Sequence, residues 1–247
     1  MTLITYTKPS TKFNTPEKLS KLEPKVQQVE LAGPTGRRLD RKLSSNITGD
    51  MILTWWHSSR NEVYPWSPLV KDKDRANVHI YSIVGNKLEL LCYYRTEHDQ
   101  INVSFSRVKS NTIWLVEQKV SKKGDVTVEY SRHQIHKNVL QKISITSIPL
   151  QTQVCCHSLS PDEEKLLLGC IDGSLILFDD PRGITRLVKT AFIPNLLTWH
   201  NDGALIITAN ERSQFQCFDV ALSCVRAQLL SEDVTPSTLV DLGSYFK

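Results

Sequence analysis

Few residues of this 247-residue chain combine the types and the spacing that chemistry at a metal ion requires. His133 and His136 stand three residues apart, but no HExxH motif accompanies them and their surroundings are typical of a strand or loop. Cys155-Cys156-His157 offers two thiols and an imidazole, yet it lacks the Cys-x-x-Cys partner of a structural zinc site. We therefore predict no metal or cofactor, and we interpret these thiols as core residues at the start of a strand.

The common patterns for phosphate binding, nucleophilic catalysis and acid–base catalysis are also missing. Gly33-Pro34-Thr35-Gly36-Arg37 lacks the Gly-Lys-Ser/Thr end of a phosphate-binding loop, and the chain contains no Gly-x-Ser-x-Gly segment. Asp179 and Asp180 are adjacent, so on a strand their carboxylates would point to opposite faces. We predict a non-enzymatic protein with no catalytic residue. The alternative is a propeller-type hydrolase, which needs inward acidic or histidine side chains.

Trp66 lies in the segment Tyr64-Pro65-Trp66-Ser67-Pro68, in which two prolines stiffen the loop around one ring. Such a ring can pack against a core or be offered to a partner, and the same alternatives apply to Trp55-Trp56. Exposed tryptophan near arginine is typical of interface hot spots, and Arg75 closes the alternating charge run that follows. We predict Trp66 and Arg75 as partner-binding residues.

The basic excess is concentrated in the first fifth of the chain. The net charge is +4, from 30 basic and 26 acidic side chains, and the excess falls within residues 1–50. A chain without a concentrated basic face is not typical of nucleic-acid-binding proteins. One interpretation of residues 37–42 is a solvated loop between blades. The other is contact with an acidic partner or an anionic membrane through Arg37, Arg38, Arg41 and Lys42.

Composition and local pattern indicate a soluble all-β protein. Hydrophobic residues make up 40% and charged residues 23%, which excludes a disordered chain. No apolar segment approaches the roughly 18 residues of a membrane helix, and no signal peptide is evident, so the six cysteines are expected to be reduced in the cytoplasm. Alternation in Val78–Val84 and Ser174–Phe178 is typical of half-buried strands. Asp172-Gly173, between Leu166–Ile171 and Ser174–Phe178, predicts a two-residue hairpin turn.

A repeat of about 40 residues favours a propeller over a sandwich, the alternative fold. When Ser160–Asp179 is shifted by about 40 positions onto His200–Asp219, the apolar positions stay in register, as a blade of four strands requires. Phe178-Asp179 then stands where WD repeats usually have Trp-Asp. Leu88–Leu91 and Val126–Glu129 are interpreted as the final strands of two earlier blades.

These patterns together predict an all-β fold, a partial WD-type β-propeller of about four divergent blades with four antiparallel strands each. Residues 1–50 are predicted as a divergent strand and basic loop region of the propeller. Residues 51–247 are predicted as its blades.

Motifs along nearly the whole chain are similar to those of one family. The most specific run extends from Trp55 to Asn77 and includes Trp55-Trp56, Tyr64–Pro68 and Lys73-Asp74-Arg75-Ala76-Asn77. Further motifs are Leu88–Leu91, Tyr94–Glu97, Ile148–Leu150, Cys155-Cys156, Lys165–Cys170, Ser174–Leu177, Phe218–Ser223 and Gln228–Asp233. Through these residues the sequence resembles the Fritz family of WD repeat-containing planar cell polarity effectors, most weakly in residues 1–50.

The resemblance implies a cytoplasmic scaffold. Members of this family join the proteins Inturned and Fuzzy in a ciliogenesis and planar cell polarity effector complex. Intraflagellar transport proteins and septins are further implied partners. The implied locations are the ciliary base and the cell cortex or plasma membrane periphery, in association with the cytoskeleton. Exchange activity on a Rab-family GTPase is attributed to the Inturned–Fuzzy pair, so no catalytic residue is carried over.

The alternative function is that of a WD-type adaptor, either a substrate receptor of a ubiquitin ligase or a vesicle-coat subunit. The resemblance also implies a C-terminal helical region, which we expect to be absent from this chain. It further implies that the chain is a fragment, or a truncated gene model, of a larger propeller. We therefore expect an incomplete ring, an open arc whose unpaired edges favour aggregation.

Overall fold

The computed structural model describes residues 2–5, 25–28, 30–33, 40–57, 71–85, 87–96 and 99–229. They contain four antiparallel sheets of four strands each and one short helix, α1 (Asp72–Arg75). Two further strands, β1 (Thr2–Thr5) and β2 (Lys25–Gln28), pair with each other. This architecture is nearly all β and confirms the predicted partial WD-type propeller. In the described part of the chain, no helix has the length and apolar character to cross a membrane.

Each of the four sheets is built from strands that follow one another in the chain. The first sheet contains β3 (Lys42–Ser45), β4 (Met51–Trp55), β5 (Val78–Val84) and β6 (Lys87–Tyr94). The second contains β7 (Asp99–Phe105), β8 (Thr112–Val120), β9 (Val126–His136) and β10 (Val139–Leu150). The third contains β11 (Val154–Leu159), β12 (Lys165–Cys170), β13 (Ser174–Asp179) and β14 (Ile184–Lys189). The fourth contains β15 (Leu196–Trp199), β16 (Leu205–Ala209), β17 (Gln214–Asp219) and β18 (Cys224–Leu229).

The cores lie between neighbouring sheets. Leu166 and Leu168 of β12 pack with Trp114 of the second sheet. Leu167, between them in the chain, packs with Leu197 of the fourth sheet. Because successive side chains of a strand point to opposite faces, β12 buries both of its faces, as a propeller blade must. A third apolar cluster joins the first and second sheets in the same way.

The first strands of successive sheets lie side by side. β11 contacts both β7 and β15, and β3 contacts β7. This is the arrangement of the innermost strands of a propeller. β3 also pairs with β4 along Lys42–Ser45, so the first sheet begins before residue 51. The predicted division at residue 50 therefore falls in the turn between two paired strands.

The predicted repeat corresponds to the second and third strands of the third and fourth sheets. Ser160–Asp179 includes β12 and β13, and His200–Asp219 includes β16 and β17. Leu88–Leu91 lies in β6, the last strand of its sheet, as predicted. Val126–Glu129 lies in β9, the third strand, so that prediction is wrong. The last strand is β10, which is exposed along most of its length and therefore lacks the apolar alternation of a half-buried strand.

The hairpin between β12 and β13 has three loop residues rather than the predicted two. β12 ends at Cys170 and β13 begins at Ser174, and Gly173 alone of the loop residues has a positive φ, +79°. A glycine in this conformation at the end of a three-residue loop is a common hairpin geometry. Asp172 accepts hydrogen bonds from the backbone N and Oγ of Ser174, both at 2.9 Å. The ammonium of Lys189, by hydrogen-bonding to this carboxylate, lowers the pKa of Asp172 to about 2.

Candidate functional site

Two basic side chains lie over two buried tryptophans where β3 and β4 meet. The Arg41 guanidinium carbon is 4.8 Å from the centre of the Trp56 ring, and the Lys42 ammonium is 4.8 Å from that of Trp55. Both rings are only 3% exposed, which confirms core packing for this pair. Cation–π attraction, worth about 0.5–1 kcal/mol at an exposed site, favours this placement of each charge. Lys42 is exposed to solvent, whereas Arg41 is half-buried. We call these four residues, with His79, the basic–aromatic corner.

His79 packs beneath Trp56 in this corner. The two rings are stacked, with centroids 5.3 Å apart and an interplanar angle of 19°. The Nε2 atom hydrogen-bonds to the carbonyl oxygen of Lys73, and because a carbonyl only accepts, Nε2 carries the proton. Burial is the main cause that lowers the pKa of His79, with a smaller effect in the same direction from Arg41. A neutral, buried imidazole therefore supports the Trp56 ring.

Residues 30–33 and α1 close the corner from the side. The Arg41 Nη2 atom donates to the carbonyl oxygen of Ala32 at 2.8 Å, and the Ala32 N–H donates to the Tyr81 hydroxyl at 2.9 Å. The Gly33 N–H donates to Oδ1 of Asp74 in α1 at 3.1 Å. Gly33 has φ +139°, and a Cβ atom there would lie 2.5 Å from Arg41 Nη2. A side chain at this position would therefore strain the backbone and would displace the Arg41 guanidinium from its contact with Ala32.

Asn77 fixes the start of β5 against the neighbouring strands. Its Nδ2 atom donates to the carbonyl oxygen of Trp56 at 3.1 Å and to Oγ1 of Thr96 at 2.9 Å. Its Oδ1 atom accepts from the Thr96 N–H at 3.0 Å. Asn77 is 1% exposed, so these bonds are shielded from water and hold the corner rigidly.

The predicted partner-binding residues divide into two groups. Arg41 and Lys42 lie together in the corner. Arg75 ends α1, and its guanidinium is 3.9 Å from the Asp72 carboxylate. Arg37, Arg38 and Trp66 lie outside the described residues. His79 was not predicted as a site residue: it stands in the predicted strand Val78–Val84, but Trp56 is distant in the chain, so no local pattern brings the two rings together.

A cluster of polar side chains joins the second and third sheets. It lies at the end of the second sheet where β7 ends and β8 begins. Glu163, in the turn before β12, is 8% exposed and has φ +60°. Its carboxylate accepts hydrogen bonds from Ser106 Oγ at 2.6 Å, from Trp114 Nε1 at 2.8 Å and from the backbone N of Arg107. Trp114 stacks on Tyr130 with centroids 4.5 Å apart. The cluster thus links the β7–β8 loop, β8 and β9 of the second sheet to the turn before β12 of the third sheet.

A cavity of about 250 Å³ opens beside Glu163. Its walls include Arg132 and Lys109 on one sheet and Asp162, Glu164 and Asp180 on the other. The Arg132 guanidinium carbon is 5.5 Å from the Trp114 ring. This mixed lining of opposite charges gives the cavity no single preference for an anion or a cation.

The residues considered for chemistry are scattered in the structure. His133 is 1% exposed, its Nε2 atom is 3.0 Å from Ser131 Oγ, and burial lowers its pKa to about 4. His136 is exposed at the end of the same strand.

The two adjacent aspartates have separate partners. Asp180 accepts a hydrogen bond from Thr146, whereas Asp179 is paired with Arg182 at 3.8 Å. Within the described residues, no group of three or more His, Cys, Asp or Glu side chains could hold a metal ion.

Comparison with known proteins assigns the chain to a family. Residues 1–247 match the family model of the WD repeat-containing and planar cell polarity effector protein Fritz. The fritz protein of Drosophila melanogaster is 41% identical over the whole chain, and the Xenopus laevis homolog is 36% identical over 99% of it. The human homolog is 34% identical over 93% of the chain.

The chain spans only part of each of these relatives. It covers 26% of the Drosophila protein, 35% of the Xenopus protein and 31% of the human protein. The family model nevertheless matches every residue of the chain, and the four sheets agree with the WD repeats that the family name states. This chain belongs to the Fritz family of WD repeat-containing planar cell polarity effector proteins.

Proposed function

We propose that this chain is a non-enzymatic scaffold module that acts in planar cell polarity and cilium assembly by binding other proteins. The relatives are named as planar cell polarity effectors, and the family is not a known enzyme family. The proposed partners are homologues of Inturned and Fuzzy, and the proposed location is the cytoplasm near the ciliary base. The observation that carries the proposal is the basic–aromatic corner, a rigid group of charged and aromatic side chains at one end of the first sheet.

The corner can bind a partner because one of its charges is both exposed and preorganised. Lys42 is exposed, and its ammonium is held over the Trp55 ring. Immobilising a flexible side chain on binding costs about 0.5–1.5 kcal/mol, and stacking removes part of that cost in advance. An acidic side chain of a partner could pair with this ammonium while its apolar atoms contact the edge of the corner.

Arg41 has a different role in this proposal. Its guanidinium stacks on Trp56 and donates to Ala32, so it supports the corner from within. Deleting residues 37–42 would therefore disturb the first sheet as well as remove charge. A point substitution at Lys42 tests binding without that ambiguity.

The test is a pull-down from ciliated cells with the tagged chain 1–247, comparing the unaltered chain with Lys42→Glu. We expect the unaltered chain to recover Inturned and Fuzzy homologues, and we expect Lys42→Glu to lower that recovery about five-fold or more, which corresponds to about 1 kcal/mol. The matched control is Lys87→Glu, at an exposed position of β6 in the same sheet, which should bind normally.

Other outcomes would contradict this proposal in distinct ways. Recovery of cullin adaptors or coat subunits in place of Inturned and Fuzzy homologues would support the adaptor alternative. Equal recovery by Lys42→Glu and Lys87→Glu would show that the basic–aromatic corner is not the contact surface.

A further inference from the structure

Cys155 and Cys156, at the start of β11, direct their thiols to the same place. Adjacent residues of a regular strand point to opposite faces. Here a β-bulge interrupts the pairing, because Val154 pairs with Cys170 and Cys156 with Gly169, which leaves Cys155 as the extra residue. The two sulfur atoms are consequently 4.0 Å apart. The prediction that both thiols pack in a core is wrong for Cys155, which is exposed; only Cys156 is buried.

Both thiols donate to one acceptor. The carbonyl oxygen of Pro194 is 2.9 Å from the sulfur of Cys155 and 3.2 Å from that of Cys156. Pro194 is buried in the connection between the third and fourth sheets. The shared acceptor fixes the two sulfurs relative to each other and leaves the exposed side of Cys155 open to solvent.

The separation of the sulfurs distinguishes two kinds of chemistry. A disulfide needs the sulfurs at about 2.05 Å and usually Cα atoms about 4.4–6.8 Å apart, whereas neighbouring Cα atoms across a trans peptide are about 3.8 Å apart. A single atom bound to both sulfurs by bonds of about 2.3 Å spans about 3.8 Å at a tetrahedral angle and about 4.6 Å in a line. The observed 4.0 Å lies within that range. The geometry therefore favours one bridging atom over a disulfide.

The electrostatics of the pair agree with this geometry. When the Cys156 S–H turns from Pro194 toward the Cys155 sulfur, that hydrogen bond lowers the pKa of Cys155, and the same contact together with burial raises the pKa of Cys156. Cys155 is the exposed member of the pair, so an incoming atom reaches its sulfur first. Closing onto the second sulfur would then displace the proton of Cys156.

We propose that Cys155 and Cys156 form a dithiol site that binds one thiophilic metal or metalloid ion. Soft thiolate ligands select soft ions such as Cu(I). In the described part of the chain, no third His, Cys, Asp or Glu completes a metal site, so the site suits an ion that accepts two sulfur ligands better than zinc, which takes four. This site is independent of the proposed binding of Inturned and Fuzzy homologues.

An ion bound to the two sulfurs would change the hydrogen bonding of the segment that connects the third and fourth sheets. Binding replaces both S–H groups, so the buried Pro194 carbonyl oxygen loses the two donors that it has in the free protein. The connection from β14 to β15 is therefore the part of the fold that would respond to such an ion.

Phenylarsine oxide is a suitable probe, because trivalent arsenic bonds to two sulfurs at once. The two thiol protons and the arsenic-bound oxygen leave as one water molecule, and no oxidant or reductant is needed. We expect the reduced chain 1–247 to take up one phenylarsenic group, seen by intact mass. An excess of monothiol should leave the adduct in place, whereas a dithiol should remove it. A parallel titration with Cu(I), against a chromophoric chelator, should show one site.

Two variants locate the site. Cys155→Ser removes the exposed sulfur and should weaken arsenical and Cu(I) binding at least ten-fold. Cys224→Ser alters an exposed cysteine of β18 and should leave both unchanged. Should Cys155→Ser fail to fold by circular dichroism, alkylation of the folded Cys224→Ser chain, in which Cys155 is the remaining exposed cysteine, takes its place. Unchanged binding after loss of Cys155, or loss of binding in Cys224→Ser, would overturn the proposal.

Discussion

The turn Ser160–Lys165 in the third sheet and the turn His200–Leu205 in the fourth share one backbone conformation but differ in the residue that bends it. In both, the N–H of the first residue donates to the carbonyl of the last at 2.9 Å. Glu163 occupies the left-handed position of the first turn, with φ +60°, and Gly203 that of the second, with φ +74°. A residue with a side chain costs about 1–2 kcal/mol in this conformation, whereas glycine does not.

The contact between the second and third sheets and the contact between the third and fourth sheets are therefore stabilised in different ways. Glu163 offsets its strain by accepting three hydrogen bonds from the second sheet. Between the third and fourth sheets, Gly169 allows a close approach instead, because a Cβ atom there would lie 2.6 Å from the Cys156 sulfur and 2.8 Å from Pro194 Cγ. The first contact depends on polar pairing and the second on close packing.

The largest effect is expected from Glu163→Ala. The substitution keeps the left-handed strain and leaves Trp114 Nε1, Ser106 Oγ and the Arg107 N–H without their acceptor. Each unsatisfied buried donor costs about 1–3 kcal/mol, so the free energy of unfolding should fall by about 4 kcal/mol. Urea denaturation followed by tryptophan fluorescence measures it. Glu163→Gly, which removes the strain as well, should lose about 1 kcal/mol less; equal losses would contradict the strain argument.

Acid should weaken the contact between the first and second sheets. His133 of β9 meets Tyr94 of β6 edge-on at 5.3 Å, and burial lowers its pKa to about 4. The unfolded chain takes up the proton near pH 6.5, so stability is fully present above that pH and is lost as the pH falls toward 4. The loss should reach about 3 kcal/mol, measured by denaturation at a series of pH values.

His133→Gln should flatten this pH dependence, and His136→Gln, at the exposed end of the same strand, should not. His157, whose pKa burial also lowers to about 4, acts in the same direction and should leave part of the slope in place. An unchanged slope in His133→Gln would refute a role for this imidazole.

A smaller effect is expected from Gly169→Ala between the third and fourth sheets. The added methyl group must displace the Cys156 sulfur or Pro194, and overpacking of this kind costs about 2 kcal/mol. Thermal unfolding by circular dichroism measures the loss. A neutral result would mean that this contact is loosely packed and that the comparison with the Glu163 contact is wrong.

The smallest effect is expected from Gly203→Glu, which places the side chain of the third-sheet turn into the fourth. The left-handed strain should cost about 1 kcal/mol. The nearest group of the neighbouring third sheet is Pro161, 3.7 Å from a Cβ at position 203, and its ring has no N–H group that could donate to the new carboxylate as three donors do to Glu163. A gain in stability by urea denaturation would show that the turn tolerates any residue and that Glu163 is not special.

The repeating parts of the fold could be predicted because they bury alternate side chains. The correspondence between Leu166 and Ile206 is visible in the sequence because both are apolar residues at the same position of the repeat. In the structure both lie in second strands, and their side chains are fully buried. β10 could not be assigned from its pattern, because an outer strand exposed along its length has no apolar alternation. The three-residue loop at Gly173 was missed by one residue, because Asp-Gly serves both hairpin lengths.

The sites were harder to predict than the strands. Arg41 and Lys42 could be predicted from their charge, but only the structure shows them stacked on Trp56 and Trp55. Glu163 has the sequence surroundings of an ordinary exposed turn, and its burial depends on Ser106 and Trp114, far from it in the chain. Contacts between distant residues leave no local pattern for a sequence analysis to read.

By itself, the sequence determined the all-β class, the blade-sized repeat and the family, because alternation, turn residues and motifs are local properties of the chain. Only the tertiary structure decided which polar side chains became buried between sheets and which stayed in water. It also decided that a bulge at Cys155 would bring two adjacent thiols together. The physical reason is that burial and close approach depend on how neighbouring sheets meet, and that geometry exists only after the strands have packed.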